Sequence, residues 1–499
     1  MNAAAATGAG WDLGQIQGLL LRGYRSNFAR HYALSIAAGE PAAAAAKAFL
    51  GKLTTATGDA LAITTAKPWK VKPAVRLNLA FTYRGLQRCN VPAASLAIFD
   101  SNSGSSDSNY VPFGQGAKAR AASGLNAPNS ANWELSDADF DVMISIWVDT
   151  SAALDAVDAE LRALFPSAFE PFDSRVFDAQ AFEGNKVYFG YEDNISQPAI
   201  AGSPFPQPYP DTQDAADPSA FLIGQGANIY SATPFSPPEL GTYGCFSGFL
   251  VLRQHVEKFE AQVAALAPDM TAFGVTDPST QKEAVMAAMC GRWRIGTPLS
   301  EFPINGNAMP GTFNKAAANS YNYVLPDGTP DMGSVCPVGA HMRRGNMRLK
   351  ATDAPLSPPF LRPNSGSSRI MRRAMPYQYP YMAEDRNDPT TDRGLTGHFL
   401  GASLLGQFEQ VFGQWMNAQF FIDGEASDPL IGIPDPSTLT LINRPRPGKK
   451  IRPPGQNGLE SCVSIRAAAY LFFPGIDGIR FITGTAPQQQ GLKRGRRAR

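Results

Sequence analysis

Four histidines and a few unusually placed carboxylates limit the chemistry open to this 499-residue chain. The stretch FGYEDNISQP, Phe189 to Pro198, sets Glu192 beside Asp193 in a run otherwise aromatic, small or amide-bearing. One reading is local: Asp193-Asn194 is turn chemistry, the carboxylate bonding its own backbone and Asn tolerating positive φ. The other is that one carboxylate transfers protons in a pocket, where an apolar setting tunes its pKa. His341 is the second candidate. It lies in CPVGAHMRRGNMR, Cys336 to Arg348, with Arg343, Arg344 and Arg348 close behind it. A lone histidine is usually an ordinary polar residue. Yet one imidazole, adjacent arginines and no second metal ligand is also what an axial haem site needs, the ring taking the iron and the cations meeting the propionates. Zinc would want three or four ligands, and the sequence offers no such cluster.

Composition bounds what must position these groups. A chain of this length is expected to hold two domains. Hydrophobic residues are 44% and charged residues 17%, below the roughly 25% usual in soluble domains, so large buried surfaces are expected. A net charge of +1 predicts no strong steering toward nucleic acid or acidic membrane. The tail KRGRRAR, Lys493 to Arg499, reads as a solvated run whose nucleic-acid affinity would be weak and salt-sensitive, so no specific nucleic-acid partner is expected. Five cysteines stand far apart, odd in number and without CxxC, which suits a reducing compartment. MNAAAATGAG shows no basic region leading into an apolar run, so no signal peptide is read. No stretch approaches the roughly 18 apolar residues of a membrane span. The expectation is a soluble, cytoplasmic protein whose oligomeric state is left open.

Strand–helix units recur along the chain. Val75, Leu77, Leu79, Phe81 and Tyr83 alternate as in a half-buried strand. Val142 to Val148 (VMISIWV) is β-rich, and Thr150 can cap a helix carrying Leu154, Val157, Leu161 and Leu164 on one face until Pro166. The unit returns as a strand over Ser247 to Leu252 and a helix with Val256, Phe259, Val263 and Leu266, ended by Pro268. Two such units suggest two similar α+β halves. The boundary falls in the Pro-, Ser- and Asp-rich stretch Gly202 to Pro238, giving domains 1–215 and 216–499. The loops Ser101 to Ser130 and Ala351 to Ser368 are long enough to be functional or disordered.

Several segments in order carry a family resemblance. FGYEDNISQP is similar to a GxxDG signature, with Gly190 and Asp193 matching. CPVGAHMRRGNMR resembles a proximal-histidine segment, and RIMRRAMPY, Arg369 to Tyr377, a distal-arginine segment. Supporting matches are QGLLLRGY (Gln17 to Tyr24), LNLAFTYRGL (Leu77 to Leu86), GCFSGFLVLRQ (Gly244 to Gln254), GRWRIGTPL (Gly291 to Leu299) and DPLIG (Asp428 to Gly432). Together they resemble the dye-decolorizing peroxidases, a haem peroxidase family, over nearly the whole chain.

The resemblance implies two ferredoxin-like halves, the first carrying the distal Asp motif and the second holding most of a haem b (iron protoporphyrin IX). It implies His341 as proximal iron ligand, Asp428 as acceptor from the other ring nitrogen, and Asp193 as distal proton shuttle with Arg372 as its cationic partner. Arg343 is the better propionate candidate, with Arg344 and Arg348 behind it; for each arginine the plain alternative is a structural or solvated ion pair. Tyr377 and Trp415 stand where an electron relay to bulky reductants is plausible. Trp415 also shares a helical face with Leu404, Phe408 and Val411, which favours core packing. Hydrogen peroxide and an organic reductant, a dye or a phenol, are the implied partners. A non-catalytic haem carrier or a chelatase-like protein would keep His341 and the arginines but need no Asp193–Arg372 pair. The chain departs from the pattern at Asn194, in place of the last Gly of GxxDG, and at RGLTGHF (Arg393 to Phe399). There Gly397 falls where a distal aromatic is expected, so a more open pocket is anticipated.

Overall fold

The apolar runs become strands of one large sheet in the computed structural model, which describes residues 10–55, 61–127, 129–165, 168–207, 209–211, 213–319, 323–329, 331, 333–346, 368–379, 391–417, 420–421, 424–425, 427–432, 439–441, 449–451 and 459–485. Arg348, the tail Lys493 to Arg499 and nearly all of the Ala351 to Ser368 loop lie outside the described residues. The strands are β1 (Phe28–Leu34), β2 (Arg76–Phe81), β3 (Val142–Val148), β4 (Val176–Gln180), β5 (Cys245–Gln254), β6 (Met371–Tyr379), β7 (Asp392–Gly401) and β8 (Val463–Phe473). Among the helices, those that bear on the site and on the predicted units are α1 (Ser151–Leu164), α2 (Val256–Leu266), α3 (Pro278–Cys290), the short α4 (His341–Gly345) and α5 (Leu404–Met416), the last wound as a wide π-helix.

Eight of the sheet's nine strands pair in the order β4-β1-β3-β2-β8-β5-β7-β6, each pair along this path antiparallel, and the two-residue strand Leu135–Ser136 adds in parallel to β8. The two sets of four, β1 to β4 and β5 to β8, each run fourth-first-third-second and meet where Phe81 pairs with Phe472. The outer strands β4 and β6 return into contact with each other. The sheet thus wraps round an interior, with helices on its outer face.

That wrapping explains where the alternation reading falls short. All six residues of β2 are buried, because both faces are covered. Leu77, Leu79 and Phe81 join the outer core with the helices, and Ala80 joins the interior one. Asn78 is tolerated inside because it accepts from the Tyr24 hydroxyl at 2.7 Å and donates to Gln17 at 3.1 Å. The capping reading holds: the Thr150 side chain accepts from the N–H of Ala153, and Leu154, Val157 and Leu161 are buried. Leu164, in the last turn, is left 47% exposed. Val256, Phe259, Val263 and Leu266 are buried as their spacing predicts. Pro268 ends α2, but the chain continues as a 3-10 helix over Ala267–Phe273, because a proline in a first turn lacks only an N–H that would have no partner there.

The interior holds two histidines in a hydrogen-bonded chain. His31 Nδ1 lies 2.8 Å from Ser145 Oγ, which lies 2.9 Å from His398 Nε2. Burial pushes the His31 ring down to about 3, and burial with His31 alongside holds His398 well below its ordinary value. Both rings stay neutral in the folded protein while the unfolded chain takes up protons below its pKa of roughly 6.5. Stability is therefore full above pH 6.5 and falls as pH drops from there toward 3, by about 2 kcal/mol from His31 alone between pH 6.5 and 5. Urea midpoints at the two pH values measure this, and His31→Gln should shrink the difference while His398 keeps its own share; an unchanged slope would count against it.

No helix among the described residues is long and apolar enough to cross a membrane. All five cysteines are buried and unpaired.

Candidate active site

His341 opens α4, which packs against α5 and α3. Its Nδ1 lies 3.0 Å from Asp428 Oδ2. A carboxylate can only accept, so Nδ1 donates to it, and in the neutral ring the lone pair is left on Nε2. Among the described residues Nε2 has no hydrogen-bond partner, and the side chain is 23% exposed. Asp428 is itself fixed. Its Oδ1 accepts from the N–H groups of Leu430 and Ile431, both at 2.9 Å, and its own N–H donates to the Met416 carbonyl at the end of α5. Burial raises its pKa, but the His341 ring, Arg344 and the Ile431 N–H outweigh that and hold the carboxyl below its usual range. The DPLIG turn is thus a rigid acceptor for one imidazole.

The arginines after His341 make structural contacts, the alternative left open for them, and Arg343 stands 3.7 Å from the Asp331 carboxylate. Arg343 donates to the carbonyls of Cys336, at 2.8 Å, and Asp331, and stands 4.7 Å from the centre of the Tyr323 ring. Arg344 donates to Gly339 at 3.1 Å and to Trp415 at 2.6 Å, and burial pushes it down to about 10. Two residues along a helix point to nearly opposite sides, so Arg343 turns from the imidazole toward the loop behind it. Both guanidinium groups tie α4 to its surroundings. Asp331, which anchors that loop with both oxygens, carried no sequence signal beyond that of a turn residue.

The second constellation joins the opening stretch to β6. Asn194 takes φ +59° and Gly190 +85°, so Asn keeps the turn that glycine would make. The Asp193 N–H donates to Asn185 at 2.8 Å. Arg372 donates its backbone N–H to Gln197 Oε1 at 3.0 Å and its Nη2 to the Ser196 carbonyl at 2.7 Å, which leaves Nη1 3.8 Å from Asp193 Oδ1. Asp193 and Arg372, each about one-third exposed (37% and 34%), share the wall of a cavity of about 770 Å³, counting its open mouth. Glu192 does not line it. Its N–H donates to Arg294, and burial raises its carboxyl while Lys315, Lys186 and Arg292 pull it back. Gln197, Ser196 and Arg373 went unread in the sequence; only the doubled arginine of IMRRAM hinted at the last.

The relay candidates separate. Tyr377 is buried and donates to Asp392 at 3.2 Å beside Arg466; burial raises its pKa. It lies on the β6 face opposite Arg372, five residues on. Trp415 is 3% exposed, packs with Val411 and Met416, and leaves its Nε1 without a partner among the described residues.

The expected opening at Gly397 needs correction. Gly397 sits in β7 opposite Ala374, with φ +153°. A Cβ there would run into the Arg373 carbonyl and the Ala374 Cα. The position holds no space for an aromatic, because the neighbouring strand occupies it. Phenylalanine at 397 would break the β6–β7 pairing and could not serve to narrow the pocket.

An acid beside a cation on a cavity wall can move a proton and stabilise developing negative charge. An imidazole aimed by a buried carboxylate can ligate a metal. No family model matches the chain. Over 508 residues it is 26% identical to dye-decolorizing peroxidase msp1 of Mycetinis scorodonius, covering 96% of this chain and 89% of that one. It is 27% identical over 376 residues to a dye-decolorizing peroxidase of Auricularia auricula-judae, covering 72% and 67%. The fold matches the crystal structure of a dye-decolorizing peroxidase in complex with 2,6-dimethoxyphenol, with a TM-score of 0.73 at 22% identity over 95% of this chain and 100% of that one. A double mutant of the Auricularia auricula-judae enzyme matches with the same TM-score and identity, over 94% and 99%. Along nearly its whole length the chain is similar to the dye-decolorizing peroxidases, and it shares their fold.

Proposed function

We propose that the protein is a haem peroxidase that uses hydrogen peroxide to oxidise phenols, dyes or similar organic reductants in one-electron steps. The observation that carries this is the His341–Asp428 pair: one imidazole, Nδ1 committed to a buried carboxylate, Nε2 open. Among the described residues no three His, Cys, Asp or Glu side chains gather to hold a bare metal ion. A lone nitrogen donor fits a metal whose remaining ligands come from a macrocycle, so the donor set fits haem b. Once bound, haem supplies a redox-active iron and a store for oxidising equivalents. The chain's own part is proton handling and charge. Asp193 takes a proton from one peroxide oxygen and returns it to the other, which leaves as water, while Arg372 stabilises the charge that develops between. Asp428 keeps His341 oriented and basic. Arg343, held by carbonyls and by Asp331, and Arg344, held by carbonyls, are less available to propionates than Arg348, the remaining sequence candidate.

Support for two ferredoxin-like halves, divided near 215, is the repeated fourth-first-third-second strand order. His341, Arg372 and Asp428 belong to the second half and Asp193 to the first, which supports a haem held mainly by the C-terminal part. The unpaired, buried cysteines favour a reducing compartment such as the cytoplasm. A haem carrier is the second reading, and the Asp193–Arg372 pair disfavours it. The test is the absorption spectrum of haem-loaded protein before and after one equivalent of peroxide. A histidine-ligated spectrum that shifts on peroxide and returns on adding a phenol is expected. A spectrum unmoved by peroxide would favour the carrier.

A further inference from the structure

We infer that the cavity beside Asp193 and Arg372 seats small aromatic acids, the ring against Trp147 and Tyr24 and the carboxylate against Arg25, Lys186 and Arg373. The wall carries four cations, Arg25, Lys186, Arg372 and Arg373, against one carboxylate, Asp193. That carboxylate already lies beside Arg372. Arg25 and Lys186 are exposed at the mouth. Lys186 sits across a backbone bridge from Glu192, but among the described residues no carboxylate comes within ion-pair distance of Lys186, Arg25 or Arg373. Among the described residues Arg373, half-buried, donates only to the carbonyls of Leu19 at 2.7 Å, Arg372 at 3.0 Å and Leu20 at 3.4 Å. Burial, with Arg372 alongside, pushes it down to about 10. A cation held by neutral dipoles in a partly desolvated wall attracts an anion more strongly than one in water.

The remaining wall selects what that anion is attached to. Tyr24 and Trp147, each 5% exposed, meet edge to face at 5.3 Å and show only their edges to the cavity, and the half-buried Phe182 joins them on the lining. Tyr24 is pinned by its 2.7 Å bond to Asn78. An aromatic surface under cations suits a flat ring bearing a carboxylate, where inorganic phosphate would leave the rings unused. As substrates, phenolic acids rest on the peroxidase reading. Two of them, each giving up one electron and one proton, balance the reduction of one hydrogen peroxide to two waters. Binding alone does not rest on that reading.

Calorimetric titration of the haem-loaded protein without peroxide compares benzoate, benzamide and inorganic phosphate. Benzoate is expected to bind roughly tenfold tighter than its neutral isostere at low ionic strength. The double substitution Arg25→Gln, Lys186→Gln, and separately half-molar salt, should each cut that preference severalfold. Trp147→Ala should weaken benzoate and benzamide alike. Equal binding of the two ligands, a preference that survives the double substitution, or phosphate matching benzoate would each overturn the proposal. Peroxide turnover of a neutral phenol is followed separately. If it is absent while benzoate still binds, the peroxidase reading falls and the anion seat stands; if it persists while benzoate shows no preference, the reverse holds.

Discussion

Asp193→Asn is expected to fold, to bind haem, and to react with peroxide roughly 10²–10⁴-fold more slowly than the parent, the range that acid–base assistance contributes. The change is nearly isosteric, and the backbone contact that places the residue, Asp193 N–H to Asn185, survives it. What is lost is a group able to take and return a proton beside Arg372. Glu192→Gln should cost little, because that carboxylate is off the cavity wall. Arg372→Leu should also be damaging, through lost charge stabilisation, and the two effects need not add because the side chains are neighbours. Stopped-flow mixing with peroxide at several pH values reads all three. If Asp193→Asn keeps the parent rate while Glu192→Gln is crippled, the wrong carboxylate has been chosen. Should both keep it, the segment is only a turn.

The other large effect concerns His341. His341→Ala should abolish the histidine-ligated spectrum or leave haem weakly held, because no other described histidine stands in a comparable setting. His31 and His398 are sealed in the interior of the sheet, and His255 Nε2 lies 3.0 Å from Ser464 Oγ. Asp428→Asn is a milder version. It keeps the ring but weakens its acceptor, with a loss of roughly 10–100-fold in cofactor affinity or activity. Haem titration followed by absorption, with the thermal transition of each variant as a folding control, separates ligation from collapse. A normal five- or six-coordinate histidine spectrum in His341→Ala would remove His341 from the site.

The local features that sequence determined are those set by near neighbours in the chain. Thr150 caps α1 because its hydroxyl meets an N–H three residues on. Asn194 keeps its turn because asparagine tolerates positive φ. The three-four-three spacing of Val256, Phe259, Val263 and Leu266 makes one buried face. His341, Asp428, Asp193 and Arg372 were legible as residue types within motifs. Their partnerships depend on register between distant strands and turns. Arg372 reaches Asp193 because Gln197 and Ser196 clamp β6 to the opening segment, and no spacing encodes that clamp. Arg343 and Arg344 follow the histidine in sequence, yet helical rotation directs them to carbonyls of the loop and of α5. Gly397 looked like an opened pocket and is a close approach of two strands, a distinction that exists only once β6 lies beside β7. The same holds for β2: its alternation promised one buried face, and the wrapping of the sheet covered both, because burial is decided by what packs against a strand and not by the strand alone.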